Sequence, residues 1–182
     1  FRVYVIDDLS VGKRSNLLKL KNIFFIKKNI STLTNLKIKK KIYCCIHLAA
    51  KAEILIDKKK EQKYFSDNVI GLQNILKICS ENKVKKFIFA SSASVYGDTK
   101  NKKVKESFKL QPLHYYAYTK YLGEKIVKNY CRLNSMQYYI LRFFNVYGNK
   151  SNAVVAKFIA QYLQNKHITI YGDGNQSRDF VH

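Results

Sequence analysis

The chain has 182 residues, of which 47% are hydrophobic and 25% charged, and its formal net charge is +22. This length is enough for one sizeable core and too short for two full domains. No apolar run approaches the ~20 residues of a membrane-spanning helix, so we expect no membrane partner. The four cysteines have no Cys-x-x-Cys spacing, which argues against a zinc site and a disulfide framework and indicates reduced thiols in a cytoplasmic protein.

The positive charge comes mainly from lysines, which occur in nearly every loop and at outward helix positions. A dispersed charge of this kind is typical of a solvated surface, so we predict no specific nucleic-acid partner. An anionic, phosphate-bearing ligand gains modestly from the same field. A non-catalytic module that binds a polyanion is the alternative from a different functional class.

Apolar runs alternate with helical patterns along most of the chain. Strands are predicted at residues 1–6, 23–26, 42–49, 87–90, 138–143 and 168–171, and helices at 60–82, 116–133 and 153–165. This alternation over residues 1–150 predicts an α/β fold with a doubly wound parallel sheet of the Rossmann type. A dinucleotide-binding fold normally begins with a strand and a glycine-rich turn, yet no glycine precedes Gly12. We therefore expect a fragment that lacks the first strand and that turn.

The end of the first predicted strand carries two acidic residues, Asp7 and Asp8. An acidic residue in this place can accept both hydroxyls of an adenosine ribose, although a plain turn explains it equally well. The third strand ends in Ala49 and Ala50, whose small side chains let a ligand approach the backbone or simply pack. Asn68 lies on the long predicted helix, where a polar residue more often faces solvent than a ligand.

Serines at the end of a predicted strand, and the helix that follows them, suggest a catalytic site. The run that begins at Phe87 ends in Ser91 and Ser92, and parallel sheets bind ligands at the carboxyl ends of their strands. Tyr116 and Lys120 stand four residues apart and therefore share a helix face. A phenol has a pKa near ~10, and a neighbouring cation helps it to act as a base. A serine, a tyrosine and a lysine together suit oxidation of an alcohol with a hydride acceptor.

Spacing alone does not select this tyrosine, because Tyr121 and Lys125 have the same separation. With all these residues in place, however, the chain resembles the extended short-chain dehydrogenase/reductase family of nucleotide-sugar epimerases and dehydratases. The resemblance runs along all 182 residues as VIDDLSVG at 5–12, HLAA at 47–50, Asn68 with Val69 and Gly71, FASSASVYGD at 89–98, Tyr116 and Lys120 with Glu124, RFFNVYG at 142–148 and YGDGNQSRDFV at 171–181.

The resemblance implies an enzyme that binds NAD and a nucleotide-diphosphate sugar, with residues 151–182 beginning an incomplete substrate-binding region. It makes Tyr116 the proton acceptor, Lys120 the residue that holds the nicotinamide ribose and lowers the Tyr116 pKa, and Ser92 the active serine. The implied cofactor-binding residues are Asp7, Asp8, Leu9, Ser10, Gly12, Asn29, Ile30, Leu48, Ala49, Ala50, Asn68, Tyr116, Lys120 and Phe144. The implied substrate-binding residues are Ser92, Tyr116, Asn145 and Arg178, and no metal site is implied. Asn29 departs from the aspartate that the family usually has there.

Positions 93 and 94 bear on the reaction. The similar dehydratases and decarboxylases carry glutamate at position 94, and the dehydratases typically have aspartate at 93, whereas this chain has Ala93 and Ser94. Without those acids, the resemblance implies 4-epimerisation through a transient 4-keto sugar, closest to the UDP-glucose/UDP-galactose type. Epimerases of N-acetylated or uronic sugars and sugar reductases are the alternatives within the family. Because members are commonly homodimers through two long helices, we expect a homodimer through residues 60–82 and 116–133.

Overall fold

The computed structural model describes residues 1–17, 21–53, 58–99, 103–148, 154–170, 172–175, 177 and 179–182. In these ranges the strands are β1 (Val3–Asp7), β2 (Ile23–Lys27), β3 (Cys44–His47), β4 (Lys86–Ser92), β5 (Gln137–Phe143), β6 (Asn145–Val146) and β7 (Phe180–Val181). The α-helices are α1 (Glu61–Phe65), α2 (Gly71–Glu81), α3 (Tyr115–Leu133) and α4 (Val154–Leu163). Short 3₁₀ turns occupy Arg14–Asn16, Lys58–Lys60 and Ala93–Tyr96. The described helices include none that is long and apolar enough to cross a membrane.

The chain divides into two compact units, Phe1–Leu141 and Arg142–His182. In the first unit, β1 pairs in parallel with β2, and β3, β4 and β5 form a second sheet in that order, with β3 parallel to β4. Parallel neighbours need long crossovers, and helices supply these between β3 and β5. The predicted Rossmann-type α/β fold is confirmed, although among the described residues no backbone ladder joins the two sheets.

The core lies between the β3–β5 sheet and the helices α2 and α3. Leu72 and Leu76 of α2, Phe87 and Phe89 of β4, and Val127 of α3 are at most 1% exposed. Burying each of these side chains contributes about 1.5–3 kcal/mol. Apolar residues at helical spacing on α2 and α3 thus explain why both helices lie against the sheet.

Helix α3 approaches β4 closely at Gly123. A Cβ atom built there lies only 2.6 Å from Cζ of Phe89, so a residue with a side chain cannot occupy this position without movement. The close approach brings the N-terminal part of α3 to the end of β4, where the predicted catalytic residues lie.

A helical segment runs from Glu61 to Glu81, as predicted, but a π-helical turn at Ser66–Ile70 interrupts it. This turn buries Asp67, Asn68 and Val69. The apolar periodicity predicts the helix and not the turn, because one widened turn shifts the apolar pattern only slightly. Short π-turns occur frequently at functional sites.

In the second unit, β6 pairs in parallel with β7, which was not predicted. The strand predicted at residues 168–171 is wrong for residues 168–170, which form no ladder; position 171 lies outside the described residues. Instead, the backbone N–H of Thr169 donates to Oε1 of Gln161, and Nε2 of Gln161 donates to Oγ1 of Thr169, each at 3.3 Å. A side chain of α4 therefore takes the place of a neighbouring strand.

Candidate active site

Ser92 is the last residue of β4 and caps the 3₁₀ turn that follows it. Its backbone is extended, and its Oγ accepts hydrogen bonds from the N–H of Ser94 at 3.2 Å and from the hydroxyl of Ser94 at 2.9 Å. The turn ends at Gly97, whose φ of +73° favours glycine. A Cβ at this position would meet the carbonyl oxygen of Gln111 at 2.0 Å, so the turn requires glycine on two grounds.

Helix α3 begins directly before Tyr116. His114 is the N-cap, and its Nδ1 accepts a hydrogen bond from the N–H of Ala117 at 3.2 Å. The imidazole also stacks on the ring of Tyr116, with centroids 6.1 Å apart and planes 9° from parallel. Capping and stacking together orient the first turn of the helix, which carries the phenol.

Lys120 lies one turn further along α3 and is only 4% exposed. Its Nζ donates to the carbonyl oxygen of Ala90 at 2.7 Å and lies 5.9 Å from the ring centre of Tyr116. The same ammonium stands 5.0 Å from the ring centre of Phe89, a cation–π distance. Burial lowers the pKa of Lys120 to about 8, so its charge is sensitive to the mildly alkaline range.

The pKa of Tyr116 is raised, because burial disfavours the phenolate, while a hydrogen bond with Ser92 opposes that effect. The lowering by Lys120 that was predicted is not found, since this ammonium is directed to the Ala90 carbonyl. Ser92 is instead the neighbour that favours the phenolate. Ser92, Tyr116 and Lys120 nevertheless come together at the carboxyl end of β4.

The turn after β1 is built on the two predicted acidic residues. Oδ1 of Asp7 accepts from the N–H of Leu9 at 2.6 Å, and Oδ1 of Asp8 accepts from the N–H of Ser10 at 2.9 Å. These bonds hold Leu9 at a φ of +61°. A Cβ on Gly12 would lie 3.4 Å from Oδ2 of Asp7, so glycine leaves this carboxylate oxygen uncrowded.

Asn29, the departure from the family pattern, contacts the same turn. Its Nδ2 donates to Oδ2 of Asp8 at 3.1 Å, and its Oδ1 accepts from the N–H and hydroxyl of Ser31, both at 2.7 Å. An aspartate here would put a second carboxylate beside Asp8, which the amide avoids. Hydrogen bonds from Ser10 are the first cause of the lowered pKa of Asp8. Ile30, the next predicted residue, packs so closely that a Cβ on Gly71 would lie 2.7 Å from its Cγ1.

The segment after β3 is fixed by Asn68 of the π-turn. Oδ1 of Asn68 accepts from the N–H of Lys51 at 2.7 Å, and its Nδ2 donates to the carbonyl oxygen of Lys51 and to Oγ1 of Thr119, both at 3.0 Å. Thr119 in turn donates to the carbonyl oxygen of Tyr116 at 2.8 Å. The amide of Asn68, a residue predicted to bind the cofactor, therefore ties this segment to the first turns of α3.

The three small or apolar residues between β3 and Lys51 were predicted to line the cofactor. Leu48 is 66% exposed and Ala49 is also exposed, whereas Ala50 is half-buried. Nζ of Lys51 donates to Oγ of Ser10 at 2.7 Å and so links the turn after β1 with the segment after β3. Leu48, Ala49 and Ala50 accordingly lie on a segment that approaches the acidic turn.

Two further predicted residues belong to the second unit. Phe144 is 36% exposed, and Nδ2 of Asn145 donates to the carbonyl oxygen of Asp179 at 3.0 Å. Arg178, predicted to contact the substrate diphosphate, lies outside the described residues.

Several residues that contribute to the site were not predicted from the sequence. His114 was missed because histidine is not a usual N-cap, and Lys51 because one lysine among many carries no signal. The buried pair in which Ser91 donates to Oε1 of Glu124 at 2.6 Å joins β4 to α3. Glu124 was part of a motif, yet its partner could not be deduced from spacing. For Ser94, the prediction used only the absence of a carboxylate at that position and did not consider its hydroxyl.

The model of the NAD dependent epimerase/dehydratase family matches residues 1–182. The chain belongs to this family. Its match to the uncharacterized UDP-glucose epimerase YtcB of Bacillus subtilis (strain 168) is 38% identical over 177 residues, which are 96% of this chain and 56% of that protein.

Solved structures of this family are similar in fold as well. The UDP-N-acetylglucosamine 4-epimerase of Methanobrevibacter ruminantium M1, in complex with UDP-N-acetylmuramic acid, gives a TM-score of 0.90 at 35% identity, over 99% of this chain and 61% of that one. The UDP-glucuronic acid 4-epimerase of Bacillus cereus, in complex with UDP-glucuronic acid and NAD, gives 0.84 at 31% identity, over 99% and 60%. The chain thus spans about 56–61% of the length of these relatives.

Proposed function

We propose that this chain is part of an NAD-dependent nucleotide-sugar 4-epimerase that acts through a transient 4-keto sugar. The observation that carries the proposal is the convergence of Ser92, Tyr116 and Lys120 at the carboxyl end of β4. The relatives support it, since the three named above are called epimerases and differ in the sugar.

The residues present fit a dinucleotide. Asp7 ends β1 and presents Oδ2 beside Gly12, which suits acceptance of hydrogen bonds from ribose hydroxyls. The ammonium of Lys51 reaches Ser10 in the turn after β1, and that of Lys120 reaches Ala90 near the end of β4. An anionic cofactor gains from both positive charges. When bound, NAD takes up a hydride from the sugar and returns it. We propose that the residues that contact the cofactor are Asp7, Asp8, Leu9, Ser10, Gly12, Asn29, Ile30, Leu48, Ala49, Ala50, Asn68, Tyr116, Lys120 and Phe144.

The chain's own groups handle the proton and the orientation. Tyr116, as phenolate, accepts the proton of the sugar 4-hydroxyl and later returns it to the same oxygen. Ser92 donates a hydrogen bond to that oxygen, and Lys120 contributes a buried positive charge close to the phenol. Ala93 and Ser94 supply no carboxylate, so no group at these positions can drive elimination from the keto sugar.

The substrate is proposed to be a UDP-hexose of the glucose/galactose type. Asn145 and Arg178 are proposed to contact its diphosphate, Arg178 through a charge-assisted pair. Phe144 is proposed to lie against the nicotinamide. We also propose a homodimer that pairs through the α1–α2 segment and α3, which sedimentation velocity of the full-length protein would detect as a doubled mass.

The test is turnover by the full-length protein of UDP-galactose, UDP-N-acetylgalactosamine and UDP-glucuronic acid, with the Tyr116→Phe variant beside the wild type. We expect UDP-galactose to be converted, and a loss of at least ~10²-fold in kcat in the variant because the base is gone. Conversion of only one of the other two UDP-sugars would change the proposed substrate to that sugar. Equal turnover by Tyr116→Phe would overturn the role of the phenol.

A further inference from the structure

A buried hydroxyl, that of Thr119, lies between the π-turn and the first turn of α3. Oγ1 of Thr119 accepts a hydrogen bond from Nδ2 of Asn68 at 3.0 Å and donates one to the carbonyl oxygen of Tyr116 at 2.8 Å. Thr119 is 1% exposed and Asn68 is 4% exposed, so bulk water has little access to either bond. The backbone of the proposed base is thus held by a side chain that a different element fixes.

The direction of both bonds follows from a donor that cannot accept. A backbone N–H only donates, so the bond from the N–H of Lys51 at 2.7 Å identifies the accepting atom of Asn68 as Oδ1. Nδ2 is therefore the donating end of the amide, and its two protons go to the carbonyl oxygen of Lys51 and to Thr119. Because Thr119 accepts from Asn68, its own proton is available, and the carbonyl oxygen of Tyr116 receives it.

The amide of Asn68 also holds both backbone groups of Lys51, as a neighbouring strand would. The segment after β3, along which the cofactor is proposed to lie, therefore shares one anchor with the first turn of α3. With both amide protons donated, a cofactor contact by Asn68 is one in which the remaining lone pair of Oδ1 accepts. The hydroxyl of Thr119 is the link from this anchor to the tyrosine.

We propose that Thr119 is a positioning residue, whose hydroxyl transmits the anchor at Asn68 to the backbone of Tyr116 and so sets the phenol relative to the segment after β3. This rests on the proposed function, which makes Tyr116 the base and places the dinucleotide along that segment. The first turn of a helix has fewer internal hydrogen bonds than its middle, so an external hold matters most there. Misplacing a reacting group by about 1 Å can cost about 10²-fold in rate.

The chain offers substitutions that isolate the hydroxyl. Serine at position 119 keeps it, valine replaces it with a methyl group of similar size, and alanine removes it without placing a methyl group against the Asn68 amide. Thr32 provides a matched control in an exposed place. Its Oγ1 donates to the carbonyl oxygen of Asn29, also three residues earlier in the chain, at 3.3 Å.

The experiment compares Thr119→Val and Thr119→Ser in the full-length protein, loaded with NAD and supplied with the UDP-sugar that wild type converts. We expect Thr119→Val to lower kcat by about 10-fold, the effect of losing one hydrogen bond of ordinary strength, with KM for the sugar and Kd for NAD changed less than about 2-fold. Thr119→Ser should restore kcat, and Thr32→Val should leave it unchanged. Failure of the serine variant to restore kcat would contradict a role for the hydroxyl.

A double-mutant cycle tests whether Asn68 and Thr119 act as one unit. In an Asn68→Ala background, Thr119→Val should lower kcat by less than about 2-fold, because the hydroxyl no longer has an anchor to transmit. Equal losses of kcat from Thr119→Val with and without the Asn68 amide would overturn the proposal, since the effect would then lie outside this link. Thr119→Ala supplies the same comparison if the valine variant does not fold, and urea unfolding of each variant identifies that case.

A second measurement needs no turnover. Hydrogen–deuterium exchange of the cofactor-free protein is followed by mass spectrometry in peptides that cover residues 117–121 and 48–52. Thr119→Val should speed exchange only in 117–121, since Asn68 keeps both bonds to Lys51, whereas Asn68→Ala should speed it in both peptides.

The exchange result separates the two proposals. Unchanged exchange at 117–121 in Thr119→Val would overturn the link, because the first turn of α3 would then be held without the hydroxyl. If exchange follows the expected pattern but the wild type converts no UDP-sugar, the proposed function fails and the link through Thr119 stands.

Discussion

His47 is a buried histidine in an apolar environment. It ends β3 in the HLAA motif, is 4% exposed, and its ring lies 6.0 Å and 5.9 Å from the centroids of Phe87 and Phe89. Its Nε2 has no hydrogen-bond partner among the described residues. Burial, and secondly the charge of Lys120, lowers the pKa of His47 to about 3.

This histidine should make stability depend on pH. Its folded pKa of about 3 lies below the unfolded value near ~6.5, so only the unfolded chain gains a proton between these values. The free energy of unfolding should therefore fall as pH drops from 7 to 5, by about 2 kcal/mol from this group. Asp8 and His114 also have lowered pKa values, so the contribution of His47 must be read as a difference between variants.

Urea unfolding of wild type and His47→Phe at pH 5, 6 and 7 measures that difference. The phenylalanine keeps the stacked ring and removes both the titrating group and the unpartnered nitrogen. The free energy of unfolding of His47→Phe minus that of wild type should increase by about 2 kcal/mol as the pH falls from 7 to 5. Phe89→Leu is the matched control, since it damages the same cluster without a titrating group and should cost the same at each pH. A parallel pH dependence in wild type and His47→Phe would contradict the argument.

Individual residues of the site were predictable only where their chemistry is distinctive. A tyrosine and a lysine four residues apart share a helix face on any account, and the serine at a strand end follows from the apolar run before it. The choice of Tyr116 over Tyr121 needed the family resemblance. The partners of Ser92 and Asn68 could not be predicted, because a hydrogen bond between distant residues depends on packing to within a few tenths of an ångström.

At the level of elements, the contact between α3 and β4 decides whether the site assembles. The two approach closely at Gly123 and Phe89. A buried hydrogen bond joins them again at Glu124, the next residue of α3, and Ser91, two residues after Phe89. The residues that carry the proposed chemistry, Ser92 and Tyr116, belong to these same two elements. Any change in the spacing of α3 and β4 therefore moves the phenol relative to the serine.

Gly123→Ala tests this spacing. The added Cβ would lie 2.6 Å from Cζ of Phe89 and 3.2 Å from Cδ2 of Leu72, which are both buried and have little room to move. Overpacking costs about 1–3 kcal/mol, against a gain of up to ~1 kcal/mol in helix propensity. We expect net destabilisation of about 1–2 kcal/mol by urea unfolding, and a fall in kcat.

Gly148→Ala is the control for this variant, because no atom of the described residues beyond its chain neighbours lies within 4 Å of a Cβ built there. It should change the free energy of unfolding by less than about 0.5 kcal/mol. Adding Phe89→Leu to Gly123→Ala should recover part of the loss in kcat by making room for the methyl group. A Gly123→Ala variant as active and as stable as wild type would show that α3 can move away from β4 without consequence.

Helices were predicted better than short strands, and the reason lies in where each finds its hydrogen bonds. The segments α2 and α3 form their bonds internally and carry an apolar face, so periodicity was enough. A strand needs a neighbour, which sequence does not specify: residues 168–170 have β-type composition but bond to Gln161, whereas Phe180–Val181 pairs with β6. The π-turn at Ser66–Ile70 was missed because its pattern remains helical.

At the scale of the whole molecule, the alternation of strands and helices predicted the fold class. The parallel pairs β1–β2 and β3–β4 follow from it. What alternation does not predict is that the described strands of the first unit divide into two sheets. The pair β1–β2 is more exposed than the central strand β4: Val3 and Phe24 are 43% and 41% exposed, whereas Phe87 and Phe89 of β4 are at most 1% exposed.

The difference in burial between β1–β2 and β4 predicts two levels of local stability. Amide hydrogens of β1 and β2 should exchange with deuterium through a local opening, well before those of β4, which open only with the core. Hydrogen–deuterium exchange read out by mass spectrometry distinguishes the two, and equal protection of β1 and β4 would contradict the expectation.

The acidic turn with Asp7 and Asp8 follows the exposed strand pair, and Lys51 joins it through Ser10 to the segment after β3. A ligand that binds this turn also suppresses the local opening of β1–β2, and part of its intrinsic affinity offsets that opening. For the proposed cofactor, binding and the order of β1–β2 therefore form a single linked equilibrium. The apparent affinity then depends on how firmly this strand pair is held as well as on how well the proposed ribose contact fits.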